Sequence, residues 1–183
     1  TGTGINNSAG DFNSFFGDSV GVNNTTGSDG TFIGYQAGYS NTTSSGTENV
    51  FIGYQAGFSN TTGTDNVYIG TLAGQAGDTR DNVIIGTDAG LSNTVEDNVF
   101  IGEEAGESNT TGDENVFIGE DAGLSNTTAE GNLFVGHQTG ADNTTGEGNS
   151  FVGGLADNVT LTNYFGNNYA GLSSYYYGVG IGA

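Results

Sequence analysis

The sequence predicts an all-β protein, a parallel β-solenoid of about nine coils of 17 residues. Two observations carry this prediction. A unit of about 17 residues repeats along the chain, and each unit holds one short run of strand-forming residues that ends in glycine. A unit of this size with a single short strand cannot bury a core of its own, whereas stacked units bury one together.

The repeat is defined by the glycine that closes each strand-forming run. These glycines follow one another at intervals of 16 to 19 residues, most often 17. They are Gly17, Gly34, Gly53, Gly70, Gly86, Gly102, Gly119, Gly136 and Gly153. The consensus unit is N-V-F-I-G-x-x-A-G-x-S-N-T-T-G-x-[DE]. Its V-F-I run favours a strand, the glycine permits a bend, and N-T-T-G is a turn cluster.

Both faces of each predicted strand are apolar. Because successive side chains in a strand point to opposite faces, Val50 and Ile52 lie on one side and Phe51 on the other. A thin coil has one interior, so the aromatic column is covered either by the rest of a wider coil or by a neighbouring molecule. We adopt the second interpretation, with three coils around an axis as the simplest case. The predicted self-association residues are Phe32, Phe51, Tyr68, Phe100, Phe117, Phe134, Phe151, Tyr175, Tyr176 and Tyr177.

The chain divides into three parts. An N-terminal segment covers residues 1–11, the repeats cover 12–153, and an aromatic C-terminal segment covers 154–183. Two interpretations of the last segment stay open: a cap on the solenoid, or a joint that pairs with the first coil of the next subunit. The chain contains no Met, so we expect that a secretion signal has been removed or that the chain is a piece of a longer one.

The composition excludes several classes of function. There are 21 acidic residues against one basic residue, Arg80, and the formal net charge is −20. Nucleic acid is excluded as a partner because phosphate binding requires Lys and Arg. No stretch approaches the roughly 20 apolar residues of a membrane span, so no membrane insertion is expected. The absence of Cys excludes disulfides and thiolate metal sites.

One column of acidic residues lies five positions before the closing glycine. Its members are Asp29, Glu48, Asp65, Asp81, Asp97 and Glu114. In a solenoid they form a ladder of like charges about 5 Å apart, which repel by roughly 1 kcal/mol in water. The first interpretation is a solvated acidic face with no cofactor. The alternative is a row of cation sites for Ca²⁺ or another hard cation.

One column of asparagines opens the N-T-T turn. Its members, Asn24, Asn41, Asn60, Asn109, Asn126 and Asn143, all lie in N-x-[ST] sequons. These residues are glycosylation candidates. The alternative is a turn asparagine stacked in a hydrogen-bonded ladder.

No enzyme is predicted. The chain has no Lys and no Cys, and its single His137 occupies a column that accepts Tyr, Thr or Glu in other units. A carbohydrate-binding module is the main alternative to a structural protein, because Tyr35, Tyr39 and Tyr54, near Gln36 and Gln55, could stack on sugars.

The N-V-F-I-G-x-x-A unit resembles the head repeats of YadA-like trimeric autotransporter adhesins, whose S-V-A-I-G strands build a left-handed trimeric β-roll. Similar N-T-T-G-x-N-x-F-I-G-Y-Q-A-G arrays occur in bacterial surface proteins and tail-fibre-like proteins. The resemblance implies a secreted, left-handed solenoid at the cell surface that acts in adhesion as an extracellular fibre element. The expected partner is a second copy of the chain: the aromatic column predicts a trimer, and the joint interpretation of the C-terminal segment predicts a head-to-tail filament. A weaker resemblance, of I-G-Y-Q-A-G to the hexapeptide of left-handed β-helix acyltransferases, implies an enzyme and is the less favoured alternative.

Overall fold

The protein is a stack of parallel strands, one per coil. The computed structural model describes residues 2–4, 6–42, 48–154 and 179–181. Its ten strands form one parallel sheet in chain order. They are β1 (Ser14–Asp18), β2 (Thr31–Tyr35), β3 (Val50–Ile52), β4 (Val67–Ile69), β5 (Val83–Ile85), β6 (Val99–Ile101), β7 (Val116–Ile118), β8 (Leu133–Val135), β9 (Ser150–Val152) and β10 (Val179–Ile181).

The predicted all-β solenoid with coils of about 17 residues is confirmed. Its handedness stays a prediction. The part of the chain that the structure describes contains no helix long and apolar enough to cross a membrane.

Equivalent residues of successive coils stack in columns. Val50 pairs with Val67, Phe51 with Tyr68, and the same register continues from β1 to β9. At about 4.8 Å per coil, the nine repeat strands make a rod on the order of 40 Å long. The uniform register follows from the repeat, because a slip by one residue would move each aromatic side chain to the other face of the sheet.

The aromatic column is the core of the solenoid. From Phe32 to Phe151 every member is buried within its own chain, with an exposed fraction of at most 4%. Successive rings stack, with centroids 5.0 Å apart between Phe100 and Phe117 and between Phe117 and Phe134. The predicted role in self-association is therefore wrong for Phe32, Phe51, Tyr68, Phe100, Phe117, Phe134 and Phe151. The coil is wide enough for one interior to hold a full column of rings.

Small residues on the facing wall make room for the rings. Ala56 and its equivalents in neighbouring coils are fully buried. The next residue is a glycine with φ near +60°, and a Cβ added to Gly57 would lie 2.9 Å from the Phe51 ring. The small Ala and Gly of the consensus thus leave space in the interior, and the large aromatic side chain packs against them.

The glycines that close the strands stack backbone on backbone. Their φ angles lie between 123° and 144°, a region essentially restricted to glycine. A Cβ added to Gly102 would lie 2.2 Å from the carbonyl oxygen of Gly119 in the next coil. This contact explains why the column contains no other residue type.

The asparagine before each of the strands β3 to β9 forms a second, internal column. Asn66, Asn82, Asn98 and Asn115 are fully buried. The backbone N–H of Asn98 donates to Asn82 Oδ1 at 2.8 Å, and that of Asn115 to Asn98 Oδ1 at 3.0 Å. Because each amide oxygen accepts a hydrogen bond from the next coil, the column satisfies buried backbone groups that no strand pairing reaches.

The buried aromatic column includes a tyrosine, Tyr68, whose hydroxyl group needs a hydrogen-bond partner. Its hydroxyl lies 2.6 Å from Thr79 Oγ1, and Thr79 takes the place of a turn glycine, Gly63, in the coil before. Burial raises the pKa of Tyr68 to about 12, so the phenol stays neutral. A buried phenol is tolerated here because the neighbouring coil supplies its hydrogen-bond partner.

Candidate functional surface

The outer face of the sheet is apolar and carries the candidate functional surface. In β3 to β7 the central side chain is buried, and the flanking Val and Ile are half-buried. We call this surface the Val/Ile face. It consists of Val50, Val67, Val83, Val99, Val116, Ile33, Ile52, Ile69, Ile85, Ile101 and Ile118. The aromatic column, which was predicted to form the interface, lies on the opposite, buried side of the same strands.

The acidic column lies on the surface, at a turn. Asp29, Glu48, Asp65, Asp81, Asp97 and Glu114 are all exposed, with φ between 35° and 62°. Gly131 and Gly148 take the same position in the next coils, with φ of 67° and 65°. Short polar side chains and glycine tolerate this left-handed conformation, so backbone geometry accounts for most of the column. Within the described ranges no group of three or more His, Asp or Glu could hold a metal ion.

The asparagines of the N-T-T turn are buried. Asn24, Asn41, Asn60, Asn109, Asn126 and Asn143 have exposed fractions of at most 1%. Asn126 Nδ2 donates to Asn109 Oδ1 at 2.9 Å and to the Ala129 carbonyl at 3.0 Å. A glycan is attached through this nitrogen, and the interior leaves no room for one. The predicted glycosylation of these six asparagines is therefore wrong for the folded chain. The hydrogen-bonded ladder is confirmed for Asn109, Asn126 and Asn143.

Asp78 interrupts the N-T-T pattern. In regular coils a turn N–H donates to the next coil, as Thr110 N does to the Thr127 carbonyl at 2.9 Å. The coil after Gly70 is one residue short, and the carboxylate of Asp78 takes the place of that carbonyl. It accepts hydrogen bonds from the backbone N–H groups of Thr61, Thr62 and Gly63 and from both threonine hydroxyls.

An open groove of about 470 Å³ runs beside Asp78, where the coils are shortest. The ion pair between Arg80 and Glu96 lies in it, and Thr94 lines it. The groove contains neither His137 nor an aromatic side chain. Arg80 is paired with Glu96, and Asp78 with the turn, which indicates a structural role for these three residues.

Replacement of Asp78 by asparagine is expected to destabilise the fold by about 1 kcal/mol at pH 7, because the amide would direct an N–H₂ donor at other donors. Burial by itself would raise the pKa of the Asp78 carboxyl, but the hydrogen bonds from Thr62 and Thr61 bring it below its ordinary value. A lowered folded-state pKa stabilises the protein above the unfolded value of about 3.9, and this contribution is lost as the pH falls through the folded value.

Urea unfolding of the parent and Asp78→Asn at pH 7 and pH 3 tests this expectation. The difference between the two proteins should shrink at pH 3. Asp97→Asn, at an exposed turn position, is the charge-matched control and should differ little from the parent at either pH. An Asp78→Asn difference that is independent of pH would contradict the assigned role.

Each of the three tyrosines that were considered for sugar binding stacks on another aromatic ring. The Tyr35 and Tyr54 ring centroids are 5.4 Å apart with an interplanar angle of 11°, and Tyr39 stacks on Phe58 at 5.1 Å. Nearby, Gln55 Nε2 donates to Gln36 Oε1 at 2.7 Å. Sugars stack on ring faces, and here each ring covers one face of its neighbour. Tyr35 and Tyr54 are 42% and 48% exposed.

His137 lies on the surface, with Nδ1 3.6 Å from Glu120 Oε2 and about half of each side chain exposed. The described residues place no nucleophile with a paired base around it.

Tyr175, Tyr176 and Tyr177 lie outside the described residues. Comparison with protein-family models, with curated proteins and with solved structures found no match to this chain.

Proposed function

We propose that this chain is a structural or adhesive element of an extracellular fibre, which acts by self-association of its coils. The observation that supports this proposal is the Val/Ile face, two adjacent columns of β-branched residues on the outside of the sheet. Its area is on the order of 400 Å², from a strand length of about 10 Å and a stack of about 40 Å. A patch of this size is typical of the largest apolar patch on a monomeric protein, and such patches are often functional.

The remaining surface offers little other chemistry. The buried asparagines of the later turns, Asn93, Asn109, Asn126 and Asn143, are hydrogen-bonded from coil to coil. Threonine hydroxyls on the surface donate to the next coil, as Thr127 Oγ1 does to the Thr144 carbonyl at 3.2 Å. Polar groups that could bind a ligand are thus used to hold coils together. This pattern favours a protein whose function depends on its shape and its surface contacts.

The Val/Ile face is too narrow to hold a stable dimer by itself. A standard interface buries about 800 Å² per partner, so neighbouring columns must contribute. The column on one side of the face carries Tyr35 and Tyr54 in early coils and Glu103 and Glu120 in later ones. Association in the later coils brings carboxylates together, so we expect it to strengthen with ionic strength or with Ca²⁺ that bridges carboxylates of two copies.

Substitution of two central residues of the face tests the proposal. The double variant Ile85→Glu, Ile101→Glu should be a monomer, whereas the parent should sediment as a trimer or a larger assembly. Thr111→Glu, Thr128→Glu is the matched control, since it adds the same charge at exposed turn positions away from the sheet. Sedimentation velocity with 150 mM salt, with and without Ca²⁺ or EDTA, measures the mass of each. A monomeric parent under all conditions, or a face variant that still assembles, would refute the proposal.

A further inference from the structure

The Val/Ile face is continued by a third column, at the position after each closing glycine. Hydrogen bonding of the sheet extends past the glycine: Gln55 N donates to the Tyr35 carbonyl at 2.8 Å, and Glu104 N donates to the Thr87 carbonyl at 2.9 Å. This position lies two residues after the Ile, so its side chain points to the same side of the sheet. From β1 to β8 the third column contains Asp18, Tyr35, Tyr54, Thr71, Thr87, Glu103, Glu120 and His137.

The third column changes in chemistry along the rod. It carries tyrosine at β2 and β3, threonine at β4 and β5, and glutamate at β6 and β7. Tyr35 and Tyr54 are 42% and 48% exposed, and Glu103 and Glu120 are exposed as well. A phenol donates a hydrogen bond and a carboxylate accepts one. The column is therefore complementary to its own reverse, since donors at one end match acceptors at the other.

Two copies of the face can meet about two different two-fold axes. An axis along the rod keeps the copies parallel and lays the third column of one copy over the Val column of the other. Glu103 would then lie against Val99 of the second copy, where its carboxylate is desolvated without a partner. An axis along the strands reverses one copy and lays each column over itself. Of the two, the reversed arrangement keeps apolar columns on apolar columns and polar side chains on polar side chains.

We propose that the Val/Ile face binds the same face of a second, antiparallel copy, with the two-fold axis between β4 and β5. β2 of one copy then lies opposite β7 of the other, and β3 lies opposite β6. The Tyr35 hydroxyl donates to the Glu120 carboxylate of the second copy, and the Tyr54 hydroxyl donates to Glu103, each twice by symmetry. This inference rests on the proposed self-association and specifies how the copies are oriented.

The third column also brings the face to the size of a stable interface. The five residues from the Val to the third column span about 17 Å, so the eight coils from β1 to β8 provide roughly 650 Å² per copy. Standard interfaces bury about 600–1,000 Å² per partner. The acidic column lies at the bend before the strand, with φ of 61° at Asp65, so its carboxylates line a solvated rim. Salt screens the repulsion between copies at this rim.

Distances between spin labels measure the orientation, because the chain has no cysteine of its own. The single variants Thr111→Cys and Thr145→Cys each take one nitroxide label at exposed turn positions two coils apart. In the antiparallel pair, the separation of the two labels along the rod is greater by about 20 Å at the second site, whereas parallel copies give equal distances.

The outcomes separate the orientation from self-association itself. Equal label distances at the two sites, or a trimer in sedimentation velocity, would overturn the antiparallel pair and leave self-association standing. Absence of dipolar coupling together with a monomeric sedimentation coefficient would refute both.

The substitution Tyr54→Lys tests the pairing with Glu103. It places an ammonium group opposite the Glu103 carboxylate of the antiparallel copy, so the dissociation constant should fall several-fold. The double variant Tyr54→Lys, Glu103→Gln should lose this gain. Thr128→Lys adds the same charge at an exposed turn position and is the matched control, which should change the dissociation constant little. Unchanged or weaker association of Tyr54→Lys, or a gain that persists without Glu103, would overturn the proposal.

Discussion

Replacement of Gly102 by alanine is expected to destabilise the solenoid by about 3 kcal/mol or more. Two effects add. Alanine cannot adopt a φ of 143° without strain. The new Cβ would also lie 2.2 Å from the Gly119 carbonyl oxygen. The obstructing atom belongs to the backbone of the next coil, so it cannot move aside as a flexible side chain would. The two coils must separate locally, which also weakens the hydrogen bonds between them.

Gly131→Ala is the matched control for this substitution. Gly131 also has a positive φ, of 67°, but the nearest atom to an added Cβ is the Gly148 backbone nitrogen at 4.0 Å. Only the left-handed conformation opposes alanine there, so a loss of about 1 kcal/mol is expected. Urea unfolding followed by circular dichroism measures both variants. Equal losses would contradict the assigned backbone contact between coils.

Replacement of Phe117 by alanine is expected to cost about 3–5 kcal/mol, the usual range for a buried phenylalanine. The Phe117 ring is fully buried and stacks on Phe100 and Phe134, with centroids 5.0 Å away on each side. Truncation leaves a cavity in the middle of the ring column. It also removes two ring contacts, which contribute beyond the area that they bury.

The adjacent substitution Ile118→Ala separates the interior from the outer face. Ile118 is only half-buried, on the Val/Ile face, so its truncation should cost about 1 kcal/mol in the monomer. Unfolding of both variants at a concentration where the chain is monomeric gives the comparison. A larger loss for Ile118→Ala than for Phe117→Ala would mean that the strand faces have been assigned the wrong way round.

The orientation of the strands could have been predicted from variation among the repeats. Positions five before the closing glycine and one after it accept many residue types, among them Asp, Glu, Tyr, Thr and His. These variable positions are an even number of residues away from the Val and Ile positions, so their side chains point to the same side of the strand. A side that accepts many residue types is the outer one, so the Val and Ile columns also lie outside. The nearly uniform asparagine, as in Asn66 or Asn115, shares parity with the phenylalanine and lies inside with it.

The buried asparagines of the N-T-T turn show why a motif alone misled. A sequon specifies residue types, whereas glycosylation requires an accessible amide nitrogen. Asn109 and Asn126 carry the sequon because the turn needs an amide that bonds to its own coil and to the next. Burial depends on the path of the whole coil, and three consecutive letters do not contain that information.

The sequence by itself determined the coil length, the position of each strand and the in-register stacking. These features depend on local preferences and on a period that is repeated nine times. Only the tertiary structure decided which apolar column is interior, because alternation distinguishes two faces without assigning either to the core. That choice depends on the opposite wall of the coil, where Ala56 and Gly57 leave room for the Phe51 ring and direct Val50 and Ile52 outward.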